Sequence, residues 1–313
     1  MARIFVTGGG GFIGAAIVES LAARGDDVAA FDIAESAALR RLTEKYRNVS
    51  FAPGELTEWP QLAEAMKQFR PDAVIHCAAV VGVVNSLASP LYTMRVNVEG
   101  SLNVLSAMRL FDVPRMINLS SEEVYGTFQS DRIDESHPCF PVKPYGISKF
   151  AVEQLARDFA RDNGQTVIHI RTCWVYGPGL PRPRIPKTFL DAAIEGRRLH
   201  VEGGADYKVD QIYIDDLVQG IVKALDHPQH EYDVYHITTG EALSLGEMVG
   251  LIRDLVPGAD ISITPGDYQV APGIVAVRKG ALDCSRASRA FDYAPRFPMR
   301  EGLAAYVAAK RSA

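Results

Sequence analysis

Residues Thr7-Gly8-Gly9-Gly10-Gly11-Phe12-Ile13-Gly14 constrain the fold of this chain more than any other stretch. They follow a short apolar run, Ile4-Phe5-Val6. They precede Phe12 to Ala23, where Phe12, Ile13, Ala16, Ile17 and Leu21 share one helical face. A strand that passes through glycines directly into a helix is the opening of a strand–helix–strand unit.

The pattern then repeats. Strands are predicted at Asp27 to Asp32, Asn48 to Phe51, Asp72 to His76, Met116 to Leu119 and Val167 to Ile170. Helices are expected between them, notably over Pro90 to Leu110 and Tyr145 to Arg161. Such alternation predicts an α/β fold, a doubly wound parallel sheet with helices on both faces, and right-handed crossovers leave few topologies open. After Arg171 the pattern loosens. Gly177, Pro178, Gly179, Pro181, Pro183 and Pro186 mark a loop, and short elements follow, including a strand at Ile212 to Ile214 and a helix opening at Asp215. We therefore expect a first domain over 1–171 and a smaller mixed α/β substrate domain over 172–313, interleaved with the last sheet elements at about 205–240.

Gly9, Gly11 and Gly14 stand in the G-x-G-x-x-G spacing, which permits a tight turn, close approach of backbone to a pyrophosphate and close helix–sheet packing. The helix start behind them, at Phe12 and Ile13, offers free N–H groups and a positive dipole end to phosphate. Asp32 ends the second strand at the distance where a carboxylate accepts the ribose hydroxyls of NAD and repels the 2′-phosphate of NADP. The other reading of Asp32 is a cap for a helix over Ala34 to Leu42.

Tyr145 and Lys149 lie four residues apart, on one helix face. A phenol with a pKa of about 10 is a poor base at neutral pH, and a neighbouring cation favours the phenolate. The helix carrying them follows the strand that ends in Asn118-Leu119-Ser120-Ser121. The C-terminal ends of such strands face the ligand crevice, where a serine hydroxyl can orient a reacting oxygen.

Taken together, Thr7 to Gly14, His76-Cys77-Ala78-Ala79, Asn97-Val98-Glu99-Gly100-Ser101, Ser120 to Gly126 and the Tyr145/Lys149 pair resemble the extended short-chain dehydrogenases, in their NAD-dependent epimerase/dehydratase branch. The similarity continues through Arg171 to Pro178, Ile212 to Leu217 and Asp283 to Gly302, so it covers nearly the whole chain. The resemblance implies a Rossmann sheet and NAD held by Gly8, Gly11, Phe12, Ile13, Gly14, Asp32, Ala78, Ala79, Asn97, Tyr145 and Lys149. It implies Tyr145 as general base and acid, Lys149 lowering its pKa, Ser121 binding the substrate oxygen, and Asn97 in a structural role. It also implies a carbohydrate substrate and a homodimer formed through the helices at about 90–110 and 145–161.

Which reaction follows the oxidation of a secondary hydroxyl is a separate question. An epimerase with retained NAD is our first expectation. The alternatives are a dehydrogenase of a free sugar, sugar acid or small polyol, a sugar 4,6-dehydratase using Glu122 and Glu123, and a non-catalytic NAD sensor. Adjacent carboxylates such as Glu122-Glu123 also occur as ordinary solvated charges. Three positions depart from the nucleotide-sugar pattern: Val209 before Asp210 and Ala271 before Pro272-Gly273-Ile274, where arginines are expected, and Trp174 where asparagine is. Losing two guanidiniums removes a bidentate grip on a diphosphate. Val81, Glu122, Trp174, Arg184 and Lys208 are the candidate substrate contacts. His76, His137, Asp215 and Asp216 read as structural, the two aspartates as caps of the following helix.

The bulk properties agree with these expectations. The net charge of −5 has no basic block, so no nucleic-acid partner is expected. Four scattered cysteines without a Cys-x-x-Cys pair predict reduced thiols and no metal site. With no signal-peptide pattern and no long apolar run, a cytoplasmic enzyme without membrane contact is expected.

Overall fold

The computed structural model describes residues 1–312. Its contacts divide the chain into two compact units, the first comprising Met1–Gly126, Cys139–Arg171 and Val218–Tyr235, the second Thr127–Pro138, Thr172–Leu217 and His236–Ala313. The segment Thr127–Pro138, expected from sequence in the first domain, clusters with the second unit. There Arg132–Ile133 pairs in parallel with Ala281–Leu282, a partner with no local sequence signal.

The first unit is built on strands β1 (Arg3–Thr7), β2 (Asp27–Asp32), β3 (Val49–Pro53), β4 (Ala73–His76) and β5 (Arg115–Leu119), with two later strands. The sheet order is Val234–His236, Thr166–Arg171, β5, β4, β1, β2, β3. Pairing is parallel from Thr166–Arg171 through to β3. This is the doubly wound Rossmann sheet expected from the alternating pattern, with its order reversing between β1 and β4. Helices α1 (Phe12–Ala23), α2 (Ala37–Lys45), α3 (Trp59–Phe69), α4 (Val83–Ala88), α5 (Pro90–Met94), α6 (Gly100–Leu110) and α7 (Lys143–Asn163) connect the strands. Phe5, Phe31, Leu62, Met66, Val74, Val104, Met108 and Met116 form a core between sheet and helices from which water is excluded.

The single helix expected over Pro90 to Leu110 is instead three pieces. Between α5 and α6, residues Arg95–Glu99 wind as a π-helical turn. An extra residue is thereby inserted into the ladder, a feature that often marks functional positions. Asn97, only 2% exposed, sits at its centre.

In the second unit, Trp174–Tyr176 pairs in parallel with the end of Lys208–Tyr213, which pairs antiparallel with Ala242–Ser244 on its other side. The fully buried Asp210 carboxylate accepts from Thr239 Oγ1 (2.6 Å) and from the amides of Thr239, Gly240 and Leu282. Burial raises its pKa, and these hydrogen bonds oppose the rise. Asp216, read from sequence as a helix cap, accepts instead from the amides of Arg296 and Phe297 at 2.9 and 2.8 Å. It therefore fastens the C-terminal segment to the helix Ile214–Asp226.

The glycine turn is among the tightest points of the fold. A Cβ on Gly14 would stand 2.0 Å from the Gly8 carbonyl oxygen, far inside contact distance, so α1 can start there only from glycine. Gly250, within the helix Leu245–Leu255, would meet nothing within 4 Å. Gly14→Ala should therefore lower stability by about 1–3 kcal/mol in urea unfolding, as overpacking does. Gly250→Ala should change it by no more than about 1 kcal/mol, towards stability. Equal effects of the two substitutions would contradict this account of the turn.

Candidate active site

Two groups of residues from the sequence analysis meet at the C-terminal ends of the parallel strands. The first is the cofactor group. Gly8 adopts φ +69°, and a Cβ there would lie 2.7 Å from the Ala78 nitrogen, so the glycine turn packs directly on the chain leaving β4. Ala78 N–H donates to Thr7 Oγ1 at 3.3 Å. At the entry to α1 no side chain caps the helix, so its first N–H groups stay available to an anion. Asp32 Oδ2 accepts from Gly10 N–H at 2.9 Å, and Oδ1 from Ile33 N–H at 2.7 Å. The capping alternative for Asp32 fails, because Ser36 fills that place and accepts from Leu39 N–H. A carboxylate held against the glycine turn fits the ribose-binding role. Gly8 and Gly14 let the turn pack tightly on β4 and on itself, and the uncapped helix start that results fits a pyrophosphate.

The second group surrounds α7. Lys149, 5% exposed, donates from Nζ to the Leu119 carbonyl at 2.8 Å, which ties the helix to the end of β5. Two residues on, Ser121 caps a single 3-10 turn, Glu122–Tyr125, and its Oγ accepts from Glu123 N–H at 3.2 Å. That turn lies against the start of α7 so closely that a Cβ on Gly146 would fall 2.6 Å from the Glu123 carbonyl oxygen. The glycine following Tyr145 thus lets Tyr145, Lys149 and the Ser121 turn pack as one body. Ser121 and Tyr145 are each 8% exposed. Burial lowers Lys149 to about 8, against the opposing influence of Cys77 and Glu153, so the ammonium is retained at neutral pH.

Asn97 joins the two groups. Its Oδ1 accepts from Val80 N–H at 2.7 Å, and its Nδ2 donates to the Val80 carbonyl and to Ser148 Oγ at 2.9 Å. Ala79 and Val81 flank that anchor, with Val81 40% exposed.

Behind Ser121 lies a buried network that the sequence analysis did not identify. Glu153, on α7 one turn beyond Lys149, accepts from Arg171 Nε at 3.0 Å and Nη2 at 2.6 Å, and from Ser120 Oγ. Arg171 also donates to Tyr125 Oη at 2.8 Å. Burial alone would raise the Glu153 carboxyl, but the Arg171 guanidinium holds it below the usual range. The available signal was a glutamate at helical spacing from Lys149, on the same buried face.

The candidate substrate residues separate into two sets. Glu122 is buried and Glu123 half-buried, both in the turn after Ser121. Trp174, Arg184 and Lys208 belong to the second unit. Trp174, 5% exposed, packs beside Tyr268 and Tyr207 with ring centroids 5.8 and 6.2 Å away, and the Arg184 guanidinium lies 4.3 Å over its ring. Lys208 is exposed at the start of its strand, opposite Ser244. Val209 is fully buried, so no cation extends from that position. Pro272 and Gly273 form the turn of a small hairpin, where Gly273 N–H donates to Gln269 Oε1. Among the described residues no group of His, Cys, Asp or Glu is arranged to hold a metal ion, and no helix is long and apolar enough to cross a membrane.

The chain is similar to known proteins over nearly its whole length. Residues 4–238 match the model of the NAD dependent epimerase/dehydratase family. A UDP-glucose 4-epimerase from Mycolicibacterium smegmatis is 28% identical over 308 residues, covering 96% of each chain. A dTDP-glucose 4,6-dehydratase from Streptomyces antibioticus is 30% identical over 317 residues, covering 96% of this chain and 90% of the relative. The crystal structure of a Thermus thermophilus UDP-glucose 4-epimerase in complex with NAD superposes with a TM-score of 0.87 at 27% identity, covering 99% of both chains. With this match added to the glycine turn and the parallel sheet, the chain belongs to the NAD-dependent epimerase/dehydratase family and is an enzyme that uses NAD.

Proposed function

We propose that this enzyme epimerises a sugar at a secondary carbinol, most directly one carried on a nucleotide, with Tyr145 as the general base and acid. The observation that carries the proposal is the assembly of Ser121, Tyr145 and Lys149 against the end of β5, fixed by the Lys149–Leu119 hydrogen bond. The similarity to epimerases over nearly the full chain supports it.

A secondary hydroxyl is a weak acid, so its oxidation needs a base held at hydrogen-bond distance. Tyr145 serves as phenolate because the Lys149 ammonium, buried one helical turn away, stabilises the negative charge in a site of low dielectric. Ser121 donates to the reacting oxygen and orients it towards Tyr145. Gly8, Gly11, Phe12, Ile13, Gly14 and Asp32 would hold NAD, with Ala78, Ala79, Asn97 and Lys149 on its nicotinamide side. When bound, NAD supplies the hydride acceptor. The ketone so formed stays in the site, and Tyr145 returns the proton when the opposite face of the carbon is reduced.

A second reading is favoured by Val209 and Trp174. A buried valine and a stacked tryptophan, where the nucleotide-sugar pattern calls for arginine and asparagine, suit a smaller polar substrate such as a sugar acid, with the Arg184 guanidinium as its anion partner. The enzyme would then release NADH and a ketone. A dehydratase reaction through Glu122 and Glu123 ranks below both.

A homodimer also follows. Val84, Leu87, Leu91, Tyr92, Ile147 and Leu155, on α4, α5 and α7, are exposed apolar side chains, with Leu91 at 76% exposure. A second copy pairing the same helices about a two-fold axis would cover them.

Three measurements check these proposals. Purified enzyme and NAD are presented with nucleotide sugars, free sugars and sugar acids, and NADH absorbance and product are followed. Epimer without net NADH is the expected result, whereas steady NADH accumulation identifies the dehydrogenase. Tyr145→Phe should lower turnover about 10²–10⁴-fold while NAD affinity is kept, and unchanged turnover would remove Tyr145 from the mechanism. Light scattering should give twice the chain mass, with Leu91→Glu/Ile147→Glu shifting it to one. A monomeric parent protein would overturn the dimer.

A further inference from the structure

A buried hydrogen-bonded chain through the first unit has only one consistent proton order. Ser101 Oγ contacts the Asn97 carbonyl, which can only accept, so the serine proton points there. The 2.8 Å contact between His76 Nε2 and Ser101 Oγ must then be an N–H donating to the hydroxyl oxygen. His76 is 1% exposed and held neutral down to about 3, by burial first and by the Lys149 ammonium second. With its single proton on Nε2, its Nδ1 accepts from Thr7 Oγ1 at 2.7 Å. Thr7 Oγ1 in turn accepts from Ala78 N–H.

The chain continues beyond the π-helical turn. Asn97 Nδ2 donates to Ser148 Oγ, which spends its own proton on the Tyr145 carbonyl at 2.8 Å. The side chains in this path are all buried: Thr7, Ser101 and Ser148 are 0–3% exposed. Each hydroxyl has its donor and acceptor roles assigned, so loss of one leaves a desolvated polar group without its bond.

We infer that His76 is a positioning residue: fixed as the neutral Nε2–H tautomer, it ties the strand ends carrying Thr7 and Ala78 to the Asn97 π-turn, and through Ser148 to the backbone of Tyr145. An imidazole suits this place because it presents an acceptor and a donor at opposite ends of a rigid ring, spanning two hydroxyls. The consequence for catalysis rests on Tyr145 being the general base. The tautomer and the chain itself do not.

The test uses the NAD-bound enzyme. In protein with ¹⁵N-labelled histidine, one resonance pair, absent from His76→Gln, should show the Nε2–H pattern and stay unchanged between pH 5.5 and 8. An Nδ1–H pattern, or titration in that range, overturns the assignment. With ¹³Cζ-tyrosine label, the Tyr145 signal, identified by its loss in Tyr145→Phe, should titrate about half a unit or more higher in Ser101→Ala. Ser101→Thr, which keeps the hydroxyl, should restore the original titration. If Ser101→Ala does not fold, Ser148→Ala should produce the same shift. Identical Tyr145 titration in wild type and in the folded hydroxyl-loss variant overturns the positioning role. Turnover that survives Tyr145→Phe would sink the general-base reading while leaving the tautomer result intact.

Discussion

The hydrogen bond from the Lys149 ammonium to the Leu119 carbonyl is the contact on which the candidate site depends. A buried ammonium needs acceptors, and the last carbonyls of a parallel strand are free to provide one. By taking that bond, Lys149 fixes the rotation of α7 relative to β5. Tyr145, one turn earlier, and Ser121, two residues after Leu119, are then brought together as a consequence of the same constraint. The bare Gly146 backbone lets the Ser121 turn close on the helix.

Charge balance around this contact extends inward. The Arg171–Glu153 pair, 3% and 0% exposed, joins the neighbouring strand to the next turn of α7 and takes up the Ser120 hydroxyl. Its bidentate geometry satisfies both carboxylate oxygens, the condition under which a buried ion pair is tolerated. Removing one partner would leave a bare charge beneath the strand end that holds Ser121. The pair also supplies a carboxylate one turn from Lys149, which opposes the effect of burial on that ammonium. The same helix therefore carries the proposed base, the cation that tunes it, and the anion that steadies the cation.

Much of the first unit was legible because its signals are local. The glycine turn, Asp32 at the end of β2 and the Tyr145/Lys149 spacing each declare their geometry within a few residues. The π-turn was not legible, since one extra residue in a helical ladder leaves the apolar pattern of Pro90 to Leu110 nearly unchanged and Gly100 alone hints at a break. The hydroxyl chain through Thr7, His76, Ser101 and Ser148 was hidden for another reason. Its members come from four separate elements and look like ordinary buried small residues. In the second unit, the strand Trp174–Tyr176 pairs with Gln211–Tyr213, and Arg132–Ile133 with Ala281–Leu282. Such distant pairings carry no periodicity that a linear reading can detect. Asp216 departs from its expected role for the same reason: helix capping is the common use of an aspartate there, while its amide partners lie far along the chain at Arg296 and Phe297.

In the proposed epimerisation, the ketone formed at the site is reduced in place, from either face, by the same enzyme-bound cofactor. The direct measurement is the fate of deuterium placed on the reacting carbon of an accepted sugar. Reduction in place should give an epimer that keeps the deuterium on that carbon, with none lost to solvent and no deuterated NADH released. Deuterium appearing in free NADH, or a product whose label has moved to another carbon, would contradict it.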